Sequence, residues 1–144
     1  MRVALYQCPP LPLDVAGNLQ RLQTIVLQAK DNVDLLVLPE MFLTGYNIGA
    51  KAVAELAQAQ DGEAAQHIAK LAKANNMAIV YGYPEHAEDG HIYNSVQLID
   101  AHGQRLCNYR KTHLFGELDR TMFSQGPDNF PVVDLEGWKL GLLI

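Results

Sequence analysis

Apolar and polar positions change their period along this chain in a regular order, and each change marks an element. Between Arg2 and Cys8, Val3, Leu5 and Gln7 alternate with Ala4, Tyr6 and Cys8, which predicts a strand; Pro9-Pro10 then withdraws two backbone donors and ends it. From Val15 the period lengthens. Val15, Leu19, Leu22, Val26 and Ala29 follow spacings of four, three, four and three, one face of a helix, with Asp14 placed as its N-cap. The short run Asp34-Leu35-Leu36-Val37-Leu38, closed by Pro39, predicts a strand covered on both faces, so Glu40 stands just past a buried strand's carboxyl end. A second helix is expected from about Glu63 to Ala74, with Ala65, Ile68, Leu71 and Ala72 inward. Asn75-Asn76 ends it before a strand from Met77 to Tyr81.

Two further strands, His91 to Asp100 and Gln104 to Arg110, are joined by Ala101-His102-Gly103, a short Gly-containing link that favours a hairpin and places Lys111 at its end. A polar stretch containing Gly and Pro follows. Pro131 to Leu135 and Trp138 to Ile144 then form a strand pair around Glu136-Gly137, and the last run, Leu140-Gly141-Leu142-Leu143-Ile144, is expected to be wholly buried. Alternating strands and helices predict an α/β fold. No repeat, low-complexity segment or linker divides residues 1–144, so they read as one unit. A buried strand is an unusual place for a domain to stop, and more chain is expected beyond Ile144.

Composition narrows the function classes. A chain of 144 residues that is 49% hydrophobic and 19% charged is ordinary for a globular protein. Its formal charge of -5, with the basic residues scattered, argues against binding to nucleic acid or anionic membranes. No apolar run approaches the roughly 20 residues that cross a bilayer, and the start lacks a signal-peptide pattern, so a cytoplasmic protein is expected. Cys8 and Cys107 show no metal or redox spacing and are expected to be small buried hydrophobes. His67, His86, His91 and His102 share no ligand face, so no metal site is expected.

Two stretches carry candidate chemistry. Leu36 to Tyr46 delivers Glu40 from a rigid strand into a Gly-containing loop, as active sites do, although a lone strand-end glutamate is more often a solvated turn residue. Tyr109 to Arg120 packs three cations, one histidine and two acids among apolar residues, which taken alone describes a salt-bridged surface turn. The combination is more specific: Leu-Pro-Glu-x-Phe-x-x-Gly-Tyr at 38–46, Tyr-Asn-Ser at 93–95, Tyr-Arg-Lys-Thr-His-Leu-Phe at 109–115 and Gly-Leu-Leu-Ile at the end.

In this order and at these separations the blocks resemble the nitrilase (carbon-nitrogen hydrolase) superfamily along the whole chain, most closely its aliphatic and stereoselective amidase-like branch. The resemblance implies a four-layer α-β-β-α sandwich, of which this chain is the amino-terminal half, pairing into homodimers or larger homo-oligomers. It implies a catalytic Glu, Lys and Cys, a small amide or nitrile substrate, and no metal or organic cofactor. Glu40 falls on the general base and Lys111 on the lysine that stabilises the oxyanion. The nucleophilic cysteine is expected immediately after Ile144. Many family members carry a second glutamate eight residues after the lysine; here Asp119 holds that position, with Glu117 two residues before it. Tyr46 is a candidate either for the pocket or for its packed wall, and Asn94 and His113 are expected to make structural hydrogen bonds.

The chemistry accounts for these residue types. An amide carbon is a poor electrophile, so a thiolate attacks it, and a carboxylate takes the thiol proton and later activates water. A fixed ammonium then stabilises the charge that develops on oxygen or nitrogen. Two functions follow: a hydrolase working through a Cys thioester in the intact protein, releasing ammonia and a carboxylic acid, or a non-catalytic fragment or interaction module lacking that cysteine.

Overall fold

A computed structural model describes Met1–Ile144. Five strands form one sheet: β1 (Val3–Leu5), β2 (Leu35–Val37), β3 (Ala78–His86), β4 (Ile92–Ile99) and β5 (Arg105–Arg110), in that spatial order. β1, β2 and β3 run parallel, joined by crossovers through α1 (Val15–Ala29) and then through α2 (Ala50–Leu56) and α3 (Glu63–Asn75). β3, β4 and β5 are antiparallel, with a bulge between Leu98 and Ile99. A short helix, α4 (Gly116–Met122), and a separate hairpin, β6 (Val132–Leu135) with β7 (Trp138–Gly141), complete the chain.

The two-residue period of the strands sorts side chains onto two faces. Ile79, Tyr81 and Tyr83 of β3 and Ile99 of β4 pack with Leu22, Val26, Ile68 and Ala72 of the helices. The opposite face carries Val80, Val96, Leu98, Cys107 and Tyr109, with Leu135 of β6 against it. Local signals set the element ends. Asp14 Oδ1 accepts the Gly17 N–H at 2.8 Å, Asn76 closes α3 in the left-handed conformation, and Asp100 Oδ1 takes the N–H groups of His102 and Gln104 in the β4–β5 turn. Glu136 (φ 52°) and Gly137 (φ 83°) form a turn of the kind that matches strand twist.

Several expectations are corrected. The first strand stops at Leu5 rather than Cys8, because β2, its sole partner, offers three residues of ladder; Cys8 lies past its end and is exposed, not buried. β3 continues five residues past Tyr81, carrying Pro84 within the sheet. α2 and α4 lie where no helix was expected. In α3, Ile68 and Ala72 are buried while Ala65 and Leu71 are only partly so. The terminal run is not wholly buried: Leu143 is 71% exposed, because the segment packs on the sheet with one side only and leaves an open groove.

Candidate active site

Glu40 is placed by backbone. The Leu38 N–H donates to Val80 O, continuing the β2–β3 ladder to the edge of the loop, and the Leu43 N–H returns to Gly82 O. Between them Met41 takes φ 52° and accepts from the Gly45 N–H, which folds the chain back on itself. The loop lies so close to β3 that a Cβ at Gly82 would sit 2.5 Å from Met41 N and 2.9 Å from Glu40 Cα. A glycine inside a strand pattern is the sequence signal for such an approach. Gly82 was not among the candidate residues.

Lys111 follows β5, and its N–H donates to Asn94 O at 2.8 Å, so the two residues stand side by side on the face away from the helices. Alternation sends Arg110 the other way, where it pairs with buried Glu85 at 2.6 Å. Glu85 also accepts from Ser95 and Asn108, a buried ionic cluster behind the sheet that the sequence reading did not anticipate.

On the groove face, Lys111 Nζ lies 2.8 Å from Glu40 Oε1 and 2.9 Å from Asp119 Oδ2. Asn94 Nδ2 donates to the same Glu40 Oε1 at 2.6 Å. Asp119 also accepts from the Tyr46 hydroxyl at 2.5 Å and the Phe115 N–H at 2.8 Å. Glu40 and Lys111, 71 positions apart, thus meet in one array with Asn94, Asp119 and Tyr46. The Tyr46 ring also stands 5.6 Å from the ammonium, within cation–π range.

The helix α4 sets Asp119 and Glu117 apart. Residues two apart on a helix point roughly 200° away from each other, so only one can face Lys111. Asp119 does, with 0% of its side chain exposed, whereas Glu117 is 91% exposed and reaches only Arg120 at 3.9 Å. His113 is exposed as well, bonded through Nδ1 to the Thr112 hydroxyl.

The electrostatics are those of a paired cluster. Burial alone would favour a neutral Lys111, but its bonds to Glu40 and Asp119 outweigh this and raise its pKa. Burial works against an ionised Asp119 too, and its donors Tyr46, Phe115 and Lys111 nevertheless hold the carboxyl below its usual range. Tyr46 is shifted upward by burial and then by its bond to Asp119, so it stays a phenol that donates. The result is a charged Lys111–Asp119 pair, with the Glu40 carboxyl bonded to the same ammonium.

Glu40 is 36% exposed and Lys111 8%. Glu40 lies in the wall of a groove of about 520 Å³ formed by Val3, Leu35, Val37, Val80 and Val96 of the sheet and by the terminal residues Leu140 to Ile144. Neither cysteine enters the cluster. Cys107 shares a strand face with Lys111 but stands four residues away, about 13 Å at strand rise, and it is buried in the apolar core of that face. No group of three or more His, Cys, Asp or Glu residues is arranged to hold a metal ion. No helix is long and apolar enough to cross a membrane.

Residues 2–144 match the family model described as carbon-nitrogen hydrolase. The chain belongs to that family. This carbon-nitrogen hydrolase chain is 71% identical over 144 residues to a protein described as "Hydrolase in pqqF 5'region" from Pseudomonas protegens, and covers 50% of it. It is 35% identical to an "(R)-stereoselective amidase" from Pseudomonas sp., covering 51% of that protein. Its fold is that of the nitrilase-superfamily amidases. A mutant amidase from Nesterenkonia sp. AN1, solved with acrylamide added at its active-site cysteine, superposes with a TM-score of 0.82 at 27% identity, over 99% of this chain and 56% of that one. The chain therefore spans about half the length of the curated relatives it matches.

Proposed function

We propose that the intact protein hydrolyses the carbon–nitrogen bond of a small carboxamide through a Cys thioester, and that this chain forms the amino-terminal part of its single catalytic domain. The observation that carries the reading is that Glu40, which lines an apolar groove, is bonded to Lys111 at 2.8 Å. Ile144 lines the same groove as Glu40, which supports a nucleophilic cysteine in the next position. The relative whose structure is described with an adduct at its active-site cysteine supports the same assignment.

In the proposed reaction Glu40 takes the thiol proton and the thiolate attacks the carbonyl carbon. Lys111 stabilises the oxyanion that forms, a role worth about 3 kcal/mol where single oxyanion donors have been removed. The carbon–nitrogen bond breaks as Glu40 returns the proton to nitrogen, and ammonia leaves. Glu40 then deprotonates water, which attacks the thioester, releasing a carboxylic acid and restoring the thiol. Asp119, itself held by the Tyr46 hydroxyl, gives the Lys111 ammonium a second carboxylate partner beside Glu40. The apolar sheet face suits a short aliphatic acyl group.

Amides are proposed ahead of nitriles because the Leu114–Arg120 block resembles the amidase branch, and because a 35% identical relative is described as an amidase. The residues 1–144 alone are proposed to be inactive, since Cys8 and Cys107 both lie outside the cluster. The test is ammonia release from a panel of C2 to C5 carboxamides by the full-length protein, with hydroxylamine added to trap the acyl group. Acyl hydroxamate formation is expected. Turnover without any trappable acyl intermediate would overturn the thioester route.

A further inference from the structure

Asn94 was expected to make only structural bonds, but its side chain is committed to the candidate base. Its Nδ2 donates to Glu40 Oε1 at 2.6 Å, and Lys111 Nζ donates to that same oxygen at 2.8 Å. Both donors converge on Oε1, and Oε2 takes none from the protein. Asn94 itself is completely buried, and its Oδ1 is buried without any hydrogen-bond partner. An amide that served only the packing of β4 would satisfy both ends, because an orphaned buried acceptor destabilises the fold. Here one end is left unsatisfied while the other is spent on Glu40.

The orientation of the amide has one electrostatic solution. Oδ1 turned toward Glu40 Oε1, which already accepts from Lys111, would set two acceptors against each other, so Nδ2 is the end that faces Glu40. The backbone holds the residue in place: Asn94 O accepts the Lys111 N–H at 2.8 Å, and Asn94 faces Pro84 of β3 across the sheet. Asn94 is thus a rigid link between the two charged groups, joined to Lys111 through its backbone and to Glu40 through its side chain.

The geometry points to Asn94 as a positioning residue for the general base: together with Lys111 it clamps Glu40 Oε1, favours the ionised carboxylate and leaves Oε2 as the oxygen that exchanges protons with nucleophile and water. It does not touch the reacting atoms. The inference rests on the amidase reading of Glu40.

The test is the pH dependence of kcat/KM and of kcat for an amide substrate, measured on the full-length protein with Asn94→Ala, Asn94→Asp and Glu40→Gln. Loss of a charge-assisted donor to a carboxylate should move the acid limb of the Asn94→Ala profile up by about one pH unit and lower kcat by roughly tenfold, with KM within about twofold. Asn94→Asp, equal in volume and retaining the backbone bonds, replaces the donor with a second carboxyl, so its acid limb should lie higher still. If the alanine variant does not fold, the aspartate variant carries the test. A folded variant with the wild-type acid limb and kcat overturns the role of Asn94 while an inactive Glu40→Gln leaves the amidase reading standing; a fully active Glu40→Gln overturns both.

Discussion

Asp119→Ala is the perturbation whose cost follows most directly from the geometry. The carboxylate is fully buried and accepts from the Tyr46 hydroxyl at 2.5 Å, the Phe115 N–H at 2.8 Å and the Lys111 ammonium at 2.9 Å. Truncation strands the Tyr46 and Phe115 donors and takes from Lys111 one of its two carboxylate partners. Removing one partner of a buried ion pair costs about 3–5 kcal/mol, and the lower end applies here because Lys111 keeps Glu40, which is 36% exposed. For a urea m-value near 2 kcal/mol/M, a loss of about 3 kcal/mol lowers the midpoint by about 1.5 M. The assay is urea unfolding of the full-length protein followed by far-UV circular dichroism. Asp119→Asn, which keeps the shape and loses the charge, should fall between wild type and alanine. Glu117→Ala is the internal control, since that side chain is 91% exposed, and its midpoint should not move. A shift below about 0.5 M for Asp119→Ala, or an equal one for Glu117→Ala, would refute the assignment of Asp119 as the buried partner of Lys111.

Three further outcomes are expected. Gly82→Ala drives a Cβ into the Met41 and Glu40 backbone and should destabilise the protein by about 1–3 kcal/mol while displacing the base, which thermal unfolding and turnover would show together. The Asp119 and Glu85 carboxyls both sit below their usual range although burial opposes it, Glu85 through Arg110, Ser95 and Asn108. Their stabilisation is therefore complete above the ordinary carboxylate range and is lost as pH falls through the lowered values, so urea midpoints should hold from pH 7 to 5 and drop below about pH 4. Maleimide labelling mapped by mass spectrometry should modify Cys8 rapidly and Cys107 only on unfolding, because Cys8 is exposed and burial raises the Cys107 thiol pKa.

Most strands, the two long helices and the places of Glu40 after β2 and Lys111 after β5 were legible because each rests on a period or a motif that spans many residues. What escaped had weaker or conflicting local signals. α2 starts at Gly49 with no side-chain cap and buries Val53 alone. α4 opens on Gly116 at φ 53° without a capping side chain at Phe115; its cap is instead the Asp119 carboxylate reaching back to the Phe115 N–H. Missing that helix hid the opposed directions of Asp119 and Glu117, since residues two apart share a face in extended chain and oppose each other on a helix. The extension of β3 was hidden by Gly82 and Pro84, which usually break strands; here one admits the Glu40 loop and the other holds Gln58 through its carbonyl. The Leu140–Ile144 run is apolar enough for a core strand, but apolarity does not tell a buried segment from one lining a groove.

The most direct measurement is kcat/KM for ammonia release from a short aliphatic amide by the full-length protein, wild type against Glu40→Gln and Lys111→Ala. Turnover in the wild type is expected, with a loss of about a thousandfold or more in each variant at unchanged fold, as for removal of a base or an oxyanion donor. Near-normal turnover in either variant would contradict the assignment of Glu40 and Lys111 as the catalytic pair.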